Sequence, residues 1–366
     1  MSFDSIKKIL TTEVIREGIM RANAEMNAIK LMGVAAICLS LSAPVSAGET
    51  QLSIAFNAPK KSAMDKAIKG FIKEANAVLA GKAKIVRFKG KKGGKNDKKI
   101  TKNIKKGKID IGVVSINSAK AVRKPFGVFE LPWLITDPSQ AKAVLASKSG
   151  GIGKKIKRWS GRSKYVLIGK VNRGFNYLAT YNKKFIKPND LKGLWINSQN
   201  RGFTEQALKV YGAKPGNSDG FIASLQDIAK KRKSYQTPPK YVSHKPITYT
   251  AAFIVFSKKN KSLRGLLMTK YQNKKGKTKW KWNETGKGVA SAAKKAANSS
   301  WELAAAEDQK ALSKINKNDK LSITNIDLDA FRDASVPLYQ KYEGFVNGGF
   351  GTLNQIRALT GVKNGT

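Results

Sequence analysis

Between Gln51 and Ser115 the hydrophobic period switches repeatedly between that of a strand and that of a helix. "QLSIAF" (Gln51–Phe56) alternates polar and apolar residues, the period-2 pattern of a half-buried strand. Ala63, Ala67, Ile68, Phe71, Ile72, Ala75 and Val78 then follow at the three-and-four spacing of one helix face. "AKIVRF" (Ala83–Phe88) returns to a strand, "DKKITKNIKKG" (Asp97–Gly107) to a lysine-faced helix, and "IDIGVVS" (Ile109–Ser115) to a strand. Parallel strands cannot be joined by tight turns, so this order predicts a parallel sheet with helical crossovers. "YVLIGKV" (Tyr165–Val171), "LWIN" (Leu194–Asn197) and "AAFIVFS" (Ala251–Ser257) extend the set of strands. "GVFELPWLITD" (Gly127–Asp137) reads as a buried loop leading into a short helix. The alanine-rich run from Lys287 to Ile315 predicts one long helix, interrupted or kinked at Asn298-Ser299-Ser300. A chain of 366 residues has room for two domains, each burying its own core.

Charge narrows the partners without narrowing the fold. Lys plus Arg number 70 against 24 Asp plus Glu, a net charge of +46. Thirteen of the cations, with one acid, Asp97, lie between Lys82 and Lys108, whereas Trp301–Thr366 carries eight of each sign. Such a field attracts nucleic acid, acidic polymers and anionic membranes without selectivity. Phe88 is the only aromatic residue within Lys82–Lys108, so that run offers no base-stacking platform. The lysines of Asp97–Gly107 occupy the polar side of an amphipathic pattern, as on a solvated helix face. Non-specific binding of nucleic acid or acidic polymer is therefore the alternative function, and non-specific polyanions are possible partners.

Catalytic chemistry has few candidates. Cys38 and His244 are each the only residue of their type, which excludes an intramolecular disulfide and a zinc site built from Cys and His. His244 lies in "KYVSHKPIT" without a Gly-x-Ser-x-Gly nucleophile signature, so a structural histidine is expected. "GKKGGKND" lacks the spacing of a Gly-x4-Gly-Lys-Ser/Thr phosphate cradle, with Asn96 where a hydroxyl is needed. No paired carboxylates suggest acid–base work. The expectation is no enzyme, no catalytic residue, no metal site and no cofactor.

The N-terminus reads as an address. "MNAIKLMGVAAICLSLSAPVSA" (Met26–Ala47) has a positive Lys30, an apolar core Leu31–Leu41 and a small-x-small end, Val45-Ser46-Ala47. These features predict a signal peptide cleaved after Ala47 and a periplasmic mature chain. Ile37 before Cys38 is too large for a good lipoprotein site, so no lipid anchor is expected. No later segment approaches 18 apolar residues.

Several stretches of the mature chain, in order, resemble the extracytoplasmic solute-binding proteins of tripartite ATP-independent periplasmic (TRAP) transporters. They are "LSIAFNAP", "GGKNDKKITKNIKKGKIDIGVVS", "VFELPWLITD", "FIKPNDLKGLWI" and "YGAKP". The resemblance implies an α/β, two-domain periplasmic-binding-protein-like architecture with a ligand cleft between domains and a long connecting helix. It implies a periplasmic solute receptor that binds a small polar solute, by family default an organic acid, and delivers it to the subunits of a membrane permease. After the extension and signal peptide at residues 1–47, the expected domains are 48–172 plus 248–290, and 173–247 plus 291–366 with the long helix.

The resemblance also indicates ligand-binding positions. The family places a carboxylate-binding Arg after "LKGLWI", where this chain has Asn197, and a second after Gly-Phe, where "RGFNYLAT" has Asn176. Gln236 falls where the family has Glu, in a segment here two residues longer. An amide can bond a hydroxyl, carbonyl or carboxylate but lacks the charge-assisted fork of Arg. Asn57 ends the first strand, and Ser115 and Asn117 end the third. Trp195 shares a strand face with Asn197 by alternation. Trp133 and Tyr235 are further aromatics that could stack on a ligand, with core packing the commoner role.

Overall fold

The computed structural model describes residues 49–88, 96–115, 124–148, 150–198, 202–216, 218–230, 238–317, 320–346 and 348–362. The signal peptide and cleavage site expected within Met26–Ala47 lie outside them. Strands β1 (Thr50–Phe56), β2 (Ala83–Arg87) and β3 (Ile111–Ser115) alternate with helices α1 (Ala63–Leu79) and α2 (Asp97–Lys105). β1 and β3 pair in parallel with Phe56 opposite Val113, as the strand–helix order predicts. Each helix starts at a polar cap: Ser62 Oγ accepts from Asp65 N, and Asn96 Oδ1 accepts from Lys98 N and Lys99 N. Those bonds satisfy amides that have no partner within the helix.

Phe126–Thr136 is buried throughout, beginning in a 3₁₀ turn at Lys124–Glu130. Then follow α3 (Pro138–Leu145), α4 (Gly153–Gly161), β4 (Tyr165–Thr180), β5 (Trp195–Ser198), α5 (Phe203–Val210), β6 (Lys214–Pro215), β7 (Gly220–Ala223) and α6 (Leu225–Ala229). The chain continues through β8 (Tyr241–Ser243), β9 (Thr248–Ser257), α7 (Lys261–Leu267), β10 (Met268–Gln272), β11 (Thr278–Trp282) and α8 (Glu284–Asn316). It ends with β12 (Ser322–Thr324), α9 (Leu328–Ala334), α10 (Val336–Phe345) and α11 (Gly349–Thr360).

Ten strands form one mixed sheet, in the order β2-β1-β3-β9-β4-β7-β5-β6, with β8 beside β4 and β12 beside β8. β10 and β11 form a separate hairpin. β4 holds the large sheet together. Its first part pairs with β9 and its last residues pair with β7 and β8. The strand expected at Tyr165–Val171 is only the beginning of this 16-residue element. Register shifts at Leu167/Gly169 and Asn172/Gly174 break the hydrophobic alternation that would have shown its full length. Gly174 takes φ 104° in the second shift, and its N–H donates to Asn172 Oδ1.

The long helix corrects one expectation. α8 runs unbroken through Asn298–Ser300. Ser300 does not disrupt it, because its hydroxyl donates to Ala297 O within the helix and accepts from Asn172 N of β4. Beside β1 and β3, the first half of α8 packs Val289, Ala292 and Ala293 into a core with Ile68, Phe71, Val113 and Phe256. An added β-carbon at Gly169 would lie 2.6 Å from Ala293 Cβ, so glycine permits this close approach of helix and strand. The second half packs Ala311 and Ile315 against Ala179 and Phe221. Two further cores complete the fold. One joins Val114, Phe126, Phe253 and Tyr249 to α2, α4, α10 and α11, and the other joins Leu178, Ile196 and Ile222 to α5, α9 and α10.

Candidate functional site

β4 and β9 cross the middle of the sheet, and their pairing assembles a polar cluster. Asn176 lies opposite Thr248, and its Nδ2 donates to Thr248 Oγ1 at 3.4 Å and to Thr250 Oγ1 at 3.2 Å. Ser115, at the end of β3, lies opposite Ala252, two residues further along β9. Directly paired residues and residues two apart share a sheet face, so Ser115, Thr250, Thr248 and Asn176 line one face. Ser115 and Thr248 are buried and Asn176 is half-buried. Asn57, also half-buried, is the first residue beyond β1. Asn117, Tyr235 and Gln236 lie outside the described residues.

Asn197 and Trp195 stand apart from that cluster. Asn197 pairs with Phe221 on β7, and Phe221 pairs with Ala179 on β4. Asn197 therefore shares a face with Ala179, and Asn176, three residues before Ala179, points to the other face. Both Asn197 and Trp195 are exposed, and Lys214 Nζ sits 5.4 Å from the centre of the Trp195 indole. Trp133 is fully buried, not available for stacking on a ligand. Its Nε1 donates to Tyr211 Oη at 3.0 Å, and Tyr211 bonds Ser335.

Behind the polar face, on the opposite side of β4 and β9, lies an aromatic group that sequence reading missed. Tyr249 is stacked on Trp301 at 5.9 Å with planes 13° apart, and packs against Phe175 at 5.0 Å. Its buried hydroxyl has no hydrogen-bond partner among the described residues, and burial pushes the phenol well above its usual pKa. Tyr177 lies on this face as well, its phenol pushed up by burial and by the nearby Asp308 carboxylate. Burial is also the main cause raising Asp308 to about 6, against the lowering effect of a 2.5 Å hydrogen bond from Gln226 Nε2.

Neither neighbouring cation on β4 is free to replace a missing arginine. The Arg173 guanidinium is 2.6 Å from Asp97 Oδ2, and Lys170 Nζ donates to Leu145 O at 2.5 Å. Burial lowers the Lys170 pKa. Among the described residues the groups bonded to Asn176 are neutral. A cavity of about 20 Å³ lined by Thr101, Ser163, Tyr165 and Phe253 lies away from these groups, and has room for a water but not for an organic acid.

Residues 54–218 match the model of bacterial extracellular solute-binding protein family 7. In that segment, somewhat under half of its length, the chain is similar to this family. A comparison with curated proteins finds no match. Among solved structures, a TRAP periplasmic solute-binding protein from Ochrobactrum anthropi, with its C-terminus bound in the ligand-binding pocket, superposes with a TM-score of 0.71 at 17% identity, over 86% of this chain and 95% of that one. The protein from a Sulfitobacter species with bound β-D-galacturonate gives 0.68 at 17% identity, over 84% and 100%. The Haemophilus influenzae protein with bound L-gulonate gives 0.68 at 20% identity, over 85% and 100%.

The chain thus shares the mixed α/β fold, long helix included, of TRAP periplasmic solute-binding protein structures. Among its described residues no helix is long and apolar enough to cross a membrane, and no cluster of His, Cys, Asp or Glu could hold a metal ion. The polar groups beside Asn176 had one local signal. Thr248 and Thr250 alternate with Tyr249 at the head of "TYTAAFIVFS", a pattern that extends the expected strand by three residues.

Proposed function

We propose that this protein is a receptor for a small hydroxylated organic acid, of the sugar-acid class bound by its structural neighbours, and delivers it to a membrane permease. The observation that carries the reading is the cluster of Asn176, Thr248 and Thr250, a set of neutral donors and acceptors at a position where the family keeps a charged anchor. Such a set suits the hydroxyls of a sugar acid better than a bare carboxylate. The net charge of +46 supplies long-range attraction for an anion without a dedicated arginine. In this reading the halves that close on the ligand are 48–172 plus 248–290, and 173–247 plus 291–366. Asn57, Ser115, Asn117, Asn176 and Gln236 contribute ligand contacts, whereas a role for Trp195 and Asn197, which stand apart from the Asn176 cluster, rests on the family resemblance and is put to the test by an Asn197→Arg variant. In this reading the protein binds its solute without transforming it.

The test is to denature the purified protein, identify released small molecules by mass spectrometry, and titrate the protein calorimetrically with those molecules and a panel of sugar acids and simple carboxylic acids. Sugar acids should bind. Asn176→Ala should weaken them by about 1 kcal/mol or more, and Asn197→Arg should shift preference toward simple carboxylates. Binding of simple dicarboxylates with no response to either variant would sink the reading.

A further inference from the structure

We infer that the β10–β11 hairpin is a docking surface for an anionic lipid bilayer. Lys261–Asn283 contains eight Lys or Arg and no Asp or Glu. A few lysines elsewhere are neutralised by neighbours, as in Lys69–Asp65 at 2.8 Å and Lys295–Glu74 at 2.7 Å. Among the described residues no salt bridge involves the hairpin. Two of its cations, and Arg264 of the preceding helix α7, are instead held over aromatic rings. Arg264 lies 4.2 Å and Lys270 5.6 Å from the Trp280 ring centre, and Lys281 lies 5.8 Å from that of Tyr271. A ring positions a cation without cancelling its charge, which a carboxylate would do. The hairpin is therefore ordered and still fully positive.

Its two faces differ. Met268 pairs with Trp282 at the base, where both pack against the β1–β3 core, with Trp282 6.5 Å from Phe256. Asn283 fixes the same end by donating through N to Leu267 O and through Nδ2 to Leu266 O. The other face carries Thr269 opposite Lys281 and Tyr271 opposite Lys279, all exposed. Beyond it the turn adds exposed Lys274, Lys275 and Lys277, its backbone held by Asn273 Oδ1 and Gly276 at φ 68°.

Lysine ammoniums on flexible stems suit a laterally mobile layer of headgroups, which needs no bidentate geometry. Tyr and Trp among lysines match the composition found at bilayer interfaces. Nucleic acid fits less well, because rings already covered by cations are poor stacking platforms for bases.

The test is flotation of the whole protein with vesicles of phosphatidylcholine containing phosphatidylglycerol, with pure phosphatidylcholine vesicles and soluble heparin as comparisons. At about fivefold per lysine, Lys279→Gln with Lys281→Gln should weaken partitioning to the anionic vesicles about 25-fold. Lys314→Gln with Lys317→Gln, which removes the same charge from the far end of α8, should weaken it only a few-fold. Brominated lipid should quench tryptophan fluorescence in the wild type and not in the hairpin variant. Unchanged far-ultraviolet circular dichroism and melting temperature would show that both variants fold. Equal losses in the two double variants, or a hairpin variant that loses heparin as severely as vesicles, would overturn the inference.

Discussion

Asp308→Asn should stabilise the protein at neutral pH far more than in acid. The carboxyl is half-buried on α8, and burial is the main cause of its rise from 3.8 to about 6. A raised pKa means that the folded state holds a proton which the unfolded chain releases. The stabilisation is complete below 3.8 and is lost as pH rises through about 6. With those two values the loss is about 1 kcal/mol at pH 4.5 and about 3 kcal/mol at pH 7.5. Asparagine keeps an oxygen acceptor for Gln226 and carries no charge at either pH. The stability of Asp308→Asn relative to wild type should therefore rise by about 2 kcal/mol between pH 4.5 and 7.5. Urea unfolding followed by tryptophan fluorescence and extrapolated to water gives both differences. A gap that stays constant, or shrinks as pH rises, would show that Asp308 is not a destabilised carboxylate in the folded protein.

Two further outcomes concern buried polar contacts. Tyr211→Phe should cost about 1–3 kcal/mol in urea unfolding, because it strips the partner from buried Trp133 Nε1 and from Ser335; a neutral substitution would contradict the network. His244 accepts the Ile326 N–H through Nδ1 and its pKa is lowered, chiefly by burial. Its contribution should be full above 6.5 and fall away as pH drops below that value, because the unfolded chain takes up the proton first. Titration of the single histidine by NMR should give a pKa below 6.5, and a value above it would refute the assignment.

Strands β1, β2 and β3 were legible because each buries a continuous or alternating apolar set between helices of clear period. β4 was legible only as far as Val171, since its register shifts break the alternation while the backbone continues. The β10–β11 hairpin escaped notice because lysine alternating with aromatic residues gives little hydrophobic periodicity, although the Asn-x-x-Gly turn was visible. At the site, Asn176 was legible through resemblance alone. Its partners Thr248 and Thr250 are 72 and 74 residues away, and only the β4–β9 register brings them into contact. The burial of Asp308 has no local signature either, because α6 and β4 create it from outside the helix.

β4 belongs to both parts of the sheet, and α8 packs against both. Among the described residues no loop serves as a free pivot at this crossing. Motion of one part against the other must flex continuous backbone, as a leaf spring bends between two clamps. A spring resists in proportion to its deflection and returns by itself, whereas a pin joint does neither. The protein is thus built to favour small, self-reversing excursions, with compliance concentrated at the irregular stretch Asn172–Gly174, where the strand has already given up its regular ladder.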